Sequence, residues 1–286
     1  MGRIVYVNGE YLPEEQAMIS VFDRGFLFAD GVYEVSSVLR GKLVDNQGHL
    51  TRLRRSLGEL DMAAPASDSE IEAIQNTLIE KNAVEEGLVY LQVTRGAADR
   101  DFAYPEGVKP SLVMFTQQKN VVDSPQARRG ISIASVEDIR WRRRDIKTVG
   151  LLAPCMAKME AKGTGADDAW LVENGYVTEG SSNNAYIVNT EGVLVTRQLG
   201  NEILAGITRK AVLQLAREQR ITIEERPFTI EEACRASEAF ITSATTFVMP
   251  VVTIDGHQIA DGRPGRLTQR LRELYVQAAL ESIHAC

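Results

Sequence analysis

Cysteine and histidine are scarce in this sequence, and their scarcity excludes several kinds of site. The chain contains only three cysteines, Cys155, Cys234 and Cys286. Because their number is odd and no CxxC spacing occurs, we expect reduced thiols, with neither a disulfide framework nor a zinc site. The only histidines are His49, His257 and His284. A histidine-rich metal centre or a Ser-His-Asp hydrolase would have to be built from these scattered residues, so we expect no bound metal.

Basic charge and long apolar runs are also missing. The net charge is −7 and the pI is about 5.2, whereas binding to nucleic-acid phosphates requires a basic face. The arginine run 142–144 is too short to supply such a face, so no nucleic-acid partner is expected. The N-terminus has no apolar signal-like region, and no run of about 18 apolar residues occurs. We therefore expect a cytoplasmic protein without a membrane partner.

The remaining composition is that of an ordinary globular protein. With 286 residues, 44% hydrophobic and 25% charged, the chain is long enough for two domains. Predicted strands and helices mix without a regular βαβ rhythm, which favours an α+β fold. We place a linker at residues 121–126, between a smaller N-terminal α+β domain (1–120) and a larger C-terminal α+β domain (127–286).

Alternating residues near the N-terminus predict a strand whose two faces differ. Residues 23–31 are predicted to be a glycine-containing loop that leads into a strand over residues 32–39. Alternation places Tyr33 and Val35 on one face of this strand and Glu34 on the other. The strand therefore presents an aromatic hydroxyl on one side and a carboxylate on the other.

Helix signals follow this strand. Leucines spaced three and four apart over residues 50–60 predict a helix with one apolar stripe, and Arg52 lies beside that stripe. Ser67 and Glu70 form the capping box of a second helix. The later loop over residues 96–110 is too long for a simple connection, which is typical of a functional loop.

Two residues of the segment 139–188 have surroundings that suit chemistry. Lys147 precedes an apolar, small-residue stretch over residues 149–157, whose periodicity predicts a buried helix. Partial burial and the neighbouring arginines 142–144 would favour a neutral, nucleophilic amine. Glu179 falls in a polar turn predicted over residues 178–184. On residue type alone, a solvated lysine and a surface glutamate are the commoner alternatives.

Motifs along almost the whole chain resemble one enzyme family. They are DRGFLFADGVYEV, HLTRLRRS, YLQVTRG, VEDIRW, DIKTVGLLA, VTEGSSNN, LAGITR and ITSATT. Together they resemble the fold-type IV pyridoxal-phosphate enzymes, and within that family the D-amino acid transaminases most. The resemblance implies a two-domain α+β enzyme with the cofactor pyridoxal 5'-phosphate lying between the domains.

The resemblance also implies which residues bind the cofactor. Lys147 matches the catalytic lysine that forms the Schiff base, and Glu179 matches the carboxylate that keeps the pyridine nitrogen protonated. Leu204 matches a leucine that packs on the ring. The residues implied for the phosphate are Arg52, Ile207, Thr208, Ser243, Ala244 and Thr245. At Ala244 the resemblance to the D-amino acid transaminases leads us to expect a threonine, so one hydroxyl is lost while the backbone amide remains.

For the substrate, the resemblance implies a carboxylate trap. Tyr33 matches its tyrosine, and Arg100 matches an arginine that the partner subunit's loop contributes in a homodimer. A histidine completes the trap in the D-amino acid transaminases, whereas this chain has Phe102 there. We expect the loss of that donor to weaken or rearrange carboxylate binding. Val35 and Ser182 are the other implied substrate residues.

The implied reaction is transfer of an amino group from a D-amino acid to a 2-oxo acid, 2-oxoglutarate or pyruvate. Phe102 leaves open an (R)-selective amine transaminase or a mixed activity. Less favoured members of the same family are an aminodeoxychorismate lyase and a branched-chain transaminase. From a different class, a cofactor-free binding protein could retain the fold.

Overall fold

A computed structural model describes residues 2–283, and the chain forms both helices and strands throughout that range. It divides into two compact units. The first contains residues 2–120, 146–150 and 282–283, and the second contains residues 121–145 and 151–281. The boundaries proposed from the sequence stay predictions. His284 and Cys286 lie outside the described residues.

The first unit consists of a β-sheet and α-helices. Its strands are β1 (Ile4–Val7), β2 (Glu10–Pro13), β3 (Gly31–Leu39), β4 (Lys42–Leu43), β5 (Glu86–Thr94) and β6 (Ser111–Gln118). Its helices are α1 (Arg24–Phe28), α2 (Asn46–Glu59) and α3 (Asp68–Lys81). The described strands form an antiparallel sheet in the order β2-β1-β6-β5-β3-β4.

Local signals account for much of this unit. Asn8-Gly9 between two short strand-like runs predicts an opening hairpin, and both residues have the positive φ that its turn requires. The capping box of α3 is confirmed, because Ser67 accepts from the Glu70 N–H while Glu70 accepts from the Ser67 N–H. The apolar stripe of α2 packs on one face of the sheet in a core that includes Val32, Leu50 and Leu91. Tyr33 and Val35 lie on the opposite face of β3.

The second unit is built on a larger mixed sheet. Its strands are β7 (Ile131–Glu137), β8 (Asp168–Glu173), β9 (Tyr176–Gly180), β10 (Asn184–Val188), β11 (Leu194–Thr196), β12 (Ile223–Glu225), β13 (Glu238–Ser243), β14 (Phe247–Ile254) and β15 (His257–Gln258). Its helices are α4 (Pro125–Arg129), α5 (Leu152–Gly163), α6 (Ile207–Glu218), α7 (Ile230–Cys234) and α8 (Arg266–Ser282). The strand order is β12-β11-β10-β13-β14-β7-β8-β9, with β15 beside β14. The α+β class is thus confirmed.

Two predicted loops contain regular structure. Residues 24–28 form the helical turn α1, capped by the Asp23 carboxylate, which accepts from the Gly25 N–H. Glu179 lies in β9 and not in a turn, and the polar turn is restricted to residues 181–183. The turn prediction was wrong because β9 pairs with β8, a contact that polar side chains do not reveal.

Burial of the helix after Lys147 was also predicted wrongly. In α5, Leu152 and Met156 are 76% and 54% exposed, whereas Ala157 and Ala161 are buried. The alanine face packs with β7 and β8 because small side chains allow close approach. Apolar periodicity identified the helix but not the side that the sheet covers. Within residues 2–283, no helix is long and apolar enough to cross a membrane.

Candidate active site

Lys147 is attached to the first sheet through its backbone. The Tyr33 N–H donates to the Lys147 carbonyl at 3.0 Å, and the Val149 N–H donates to the Gly31 carbonyl at 3.0 Å. The segment therefore runs beside β3. The Lys147 Nζ lies 4.1 Å from the centroid of the Tyr33 ring. The amine is thus held over an aromatic face.

An aromatic row continues from Tyr33 across the sheet. Tyr33 stacks on Tyr90 with 5.6 Å between ring centroids, and Tyr90 stacks on Phe115 at 4.7 Å. Burial raises the pKa of Tyr90, so its hydroxyl stays protonated. That hydroxyl donates to the Gln92 Oε1 at 2.8 Å. Val35 is half-buried, like Tyr33, on the same face of β3, so the structure brings these two predicted substrate residues together with Lys147.

Arg52 is held on the other face of β3 by a buried ion pair. Its Nε and Nη2 each lie 2.8 Å from an oxygen of Glu34, and His49 Nδ1 lies 2.7 Å from Glu34 Oε2. Burial alone would raise the pKa of Glu34, but the charge and hydrogen bonds of Arg52, together with His49, lower it to about 2. Sequence alternation had placed Glu34 on this face, but it did not identify the partner.

Glu34→Gln is expected to reduce the free energy of unfolding by about 3 to 5 kcal/mol, because it leaves Arg52 buried beside a neutral amide. The Glu34 pKa falls from 4.5 in the unfolded chain to about 2 when folded. Its contribution is therefore complete above pH 4.5 and is lost as the pH falls towards 2. Urea unfolding across this pH range measures the difference between wild type and variant.

The matched control is Glu14→Gln. Glu14 pairs with Arg3 at 2.6 Å, but both side chains are more than a third exposed, so the loss is expected to stay within about 1 kcal/mol. An equally small loss for Glu34→Gln at pH 7 would contradict a stabilising role for the buried pair.

Arg100 and Phe102 lie in the loop between β5 and β6, and both are exposed. The Arg100 guanidinium carbon is 5.5 Å from the centroid of the Phe102 ring. Ser182 lies in the turn between β9 and β10 and is exposed. Their substrate roles stay predictions.

Glu179 is the buried carboxylate of the second unit. Its Oε1 accepts from Arg140 Nη1 at 2.6 Å, and its Oε2 accepts from Asn184 Nδ2 and the Leu204 N–H, each at 3.0 Å. Burial raises the pKa of Glu179, whereas the charge and hydrogen bond of Arg140 oppose that rise. The side chain is thereby fixed in place, and its ionised form depends on Arg140.

Sequence reasoning missed the polar group behind Glu179. Arg140 donates from Nη2 to Asp138 Oδ2 at 2.7 Å, and the Thr178 hydroxyl donates to the same oxygen at 2.6 Å. The VEDIRW motif contains both Asp138 and Arg140, but spacing alone gave no partner for either. Asp138 thus positions the guanidinium that contacts Glu179.

The arginine run 142–144 is less available than predicted. Arg143 pairs with Asp145 at 3.0 Å, and Arg144 pairs with Glu173 at 2.9 Å. Carboxylates therefore compensate two of the three charges.

The start of α6 offers an anion site. Gly206 makes no side-chain hydrogen bond to the helix start, and the first N–H groups of a helix can bind an anion. A Cβ at Gly206 would overlap the Asn184 amide, which also donates to the Leu204 carbonyl. Glycine thus lets the helix start approach the group that holds Glu179. Ile207 and Thr208 are the first two residues of the helix.

A hydroxyl-rich turn follows β13. Ser243 Oγ lies 2.7 Å from Thr246 Oγ1 and 3.4 Å from Thr245 Oγ1, while Ala244 is half-buried between them in sequence. Thr246 was not predicted, and it supplies a hydroxyl beside the position where Ala244 lacks one. A buried carboxylate can accept a hydrogen bond from a protonated pyridine nitrogen. An uncapped helix start and a hydroxyl-rich turn can donate to a phosphate. These residues therefore fit pyridoxal phosphate.

Comparison with known proteins agrees with this combination of fold and residues. Residues 31–254 match the amino-transferase class IV family, and the chain belongs to that family. Two similar relatives are D-alanine aminotransferases. The one from Bacillus licheniformis is 37% identical over 97% of this chain and 96% of its own length. The one from Staphylococcus epidermidis (strain ATCC 12228) is 37% identical over 96% and 98%, respectively.

Solved structures share the fold. The Escherichia coli branched-chain amino acid aminotransferase superposes with a TM-score of 0.90 at 22% identity, covering 98% of this chain and 95% of its own. The branched-chain aminotransferase of Thermoproteus uzoniensis has a TM-score of 0.88 at 26% identity, covering 98% and 96%.

Proposed function

We propose that this class IV aminotransferase moves an amino group from a D-amino acid to a 2-oxo acid, either 2-oxoglutarate or pyruvate. The observation that carries the proposal is the 37% identity to a D-alanine aminotransferase across nearly the whole of both chains. The cofactor of this class of transaminase is pyridoxal phosphate. The fixed Glu179 carboxylate and the Lys147 amine over Tyr33 support that chemistry.

When bound, the cofactor supplies an aldehyde that takes up the amino group and a ring that accepts electrons from the substrate. Lys147 would hold it at the aldehyde, Glu179 at the ring nitrogen, and Leu204 against the ring. The residues proposed for its phosphate are Arg52, Ile207, Thr208, Ser243, Ala244 and Thr245.

The side chains of this protein then control the protons. Lys147 Nζ, once free, is the general base that removes the substrate Cα proton and the acid that returns it. Burial raises the pKa of Glu179 and Arg140 opposes that rise; the ionised Glu179 carboxylate favours a proton on the ring nitrogen. Tyr33 and Arg100 would orient the substrate carboxylate, and Val35 and Ser182 would line its side chain.

The assembly and the cellular location remain part of the proposal. We propose a homodimer in which the loop with Arg100 reaches the site of the partner subunit. Exposed apolar side chains of the first unit, such as Phe22 and Phe26, support a further protein contact. A cytoplasmic location stays a prediction from the sequence.

An absorption spectrum of the purified protein tests the donor. We expect D-alanine to convert the visible band of the bound cofactor to a near-ultraviolet band, and L-alanine to leave it unchanged, because the site fixes the face from which Lys147 removes the proton. Conversion by L-alanine alone would contradict the proposal. Absence of a visible band after cofactor is added would contradict cofactor binding altogether.

The second candidate is an (R)-selective amine transaminase, favoured by the apolar Phe102 at the position of the family's histidine. (R)-1-phenylethylamine in the same experiment separates the two. Conversion by the amine but not by D-alanine would establish this alternative. Release of pyruvate from aminodeoxychorismate without an acceptor would instead indicate a lyase.

A further inference from the structure

Aromatic rings, and not hydrogen bonds, hold the Arg100 side chain. Its guanidinium carbon is 5.2 Å from the Phe28 ring centroid and 5.5 Å from the Phe102 ring centroid. The two rings lie 5.5 Å apart with a 58° tilt. Among residues 2–283, no carboxylate pairs with Arg100 and no acceptor takes its hydrogen bonds. Two rings at these distances attract a guanidinium without using its N–H groups.

Arg24 contacts the Phe28 ring and holds it in place. Buried Arg24 lies 4.6 Å from the Phe28 centroid and donates to the backbone carbonyls of Asp101 at 2.6 Å and Ala103 at 3.3 Å. Its Nε also donates to Asp30 Oδ2 at 2.8 Å. One buried guanidinium therefore anchors both the ring and the loop backbone on each side of Phe102.

The arginines near these aromatic rings differ in whether a carboxylate pairs with them. Arg95 donates to the same Asp30 oxygen at 2.8 Å and lies 3.5 Å from the Tyr104 centroid. Asp30 thus pairs with both buried guanidiniums. The Asp101 carboxylate accepts from the Ala103 N–H. Arg100, at the exposed end, is left with five donors and no anion.

We propose that Phe28 and Phe102 form an aromatic clamp that orients Arg100 to bind the substrate carboxylate with two parallel hydrogen bonds. This inference rests on the proposed function. The ring contacts use none of the guanidinium N–H groups, so these remain available to a carboxylate, which an arginine can bind with two parallel hydrogen bonds. Phe102 is then a positioning residue whose restriction of Arg100 offsets the missing histidine donor. The clamp favours a donor with a carboxylate over a simple amine.

Steady-state kinetics with D-alanine test the clamp in the full-length holoenzyme. Phe102→Leu is expected to raise the KM for D-alanine about threefold to fivefold with kcat unchanged, because an exposed cation–π contact contributes about that factor. Phe102→Tyr keeps a ring and should retain the wild-type KM. Tyr176→Leu is the control, since Tyr176 is an exposed aromatic residue of β9 and has no guanidinium contact among the described residues.

A double variant distinguishes positioning from a direct contact. In an Arg100→Met background, Phe102→Leu should change the KM no further, because the ring acts through Arg100. An independent rise in that background, or an unchanged KM in Phe102→Leu alone, would overturn the clamp. A wild-type enzyme that accepts no D-amino acid would overturn the proposed function and the clamp together. An active wild-type enzyme whose variants behave otherwise than expected would overturn the clamp alone.

Discussion

Lys147→Ala is expected to lower kcat for transamination by about 10³-fold or more. The amine is proposed both to hold the cofactor and to carry the substrate proton, and loss of a positioned general base alone commonly costs a factor of that size. The Tyr33 ring, 4.1 Å from the amine, would remain, as would the backbone bonds between residues 146–150 and β3. The variant should therefore fold and still bind cofactor non-covalently.

Chemical mapping provides a readout that does not depend on activity. Borohydride reduction of the wild-type protein, followed by peptide mass spectrometry, should find the cofactor on Lys147. The same treatment should leave Lys147→Ala unlabelled. Lys162→Ala, which changes an exposed lysine on α5, is the matched control and should behave as wild type. Label on any other lysine, or undiminished turnover in Lys147→Ala, would refute the assignment.

Arg140→Met is expected to lower kcat by about 10²-fold, close to the effect of Glu179→Gln, because a preorganised charge in a buried site contributes on that scale. Burial raises the pKa of Glu179, and Arg140 at 2.6 Å is the main force opposing that rise. Without Arg140 the pKa of Glu179 rises further, which favours the neutral carboxyl. The neutral carboxyl stabilises a protonated ring nitrogen less well.

The pH dependence gives the sign of this effect. An acid with a raised pKa ionises only at higher pH, so kcat of Arg140→Met should increase with pH through a range in which wild type is flat. The double variant with Glu179→Gln should be no worse than either single variant and should lose this pH dependence.

Arg143→Met serves as control, since Arg143 pairs with Asp145, whereas Arg140 donates to Glu179. Additive losses in the double variant would contradict action through Glu179. A pH profile identical to that of wild type would contradict it as well.

Local and family-wide patterns made several features predictable. The hairpin at Asn8-Gly9 and the capping box of Ser67 and Glu70 depend on residues a few positions apart, and both form as expected. The α+β class follows from the order of such elements. The aminotransferase family was recognisable because its motifs extend along almost the whole chain. These features need no knowledge of which distant side chains meet.

Only the tertiary structure decided how the polar residues are paired. Glu179 meets Arg140 because β9 lies beside β8 and the segment after β7 returns to that edge, and no spacing rule encodes this contact. The same holds for Glu34 with Arg52, and for Arg100 beside the rings of Phe28 and Phe102. The exposed side of α5 was likewise decided by tertiary structure. Periodicity identifies an apolar helical face but does not show which face the sheet covers. Sequence determined the elements and the family, whereas non-local packing determined the charges and orientations of the site, because these depend on neighbours that the chain brings together only on folding.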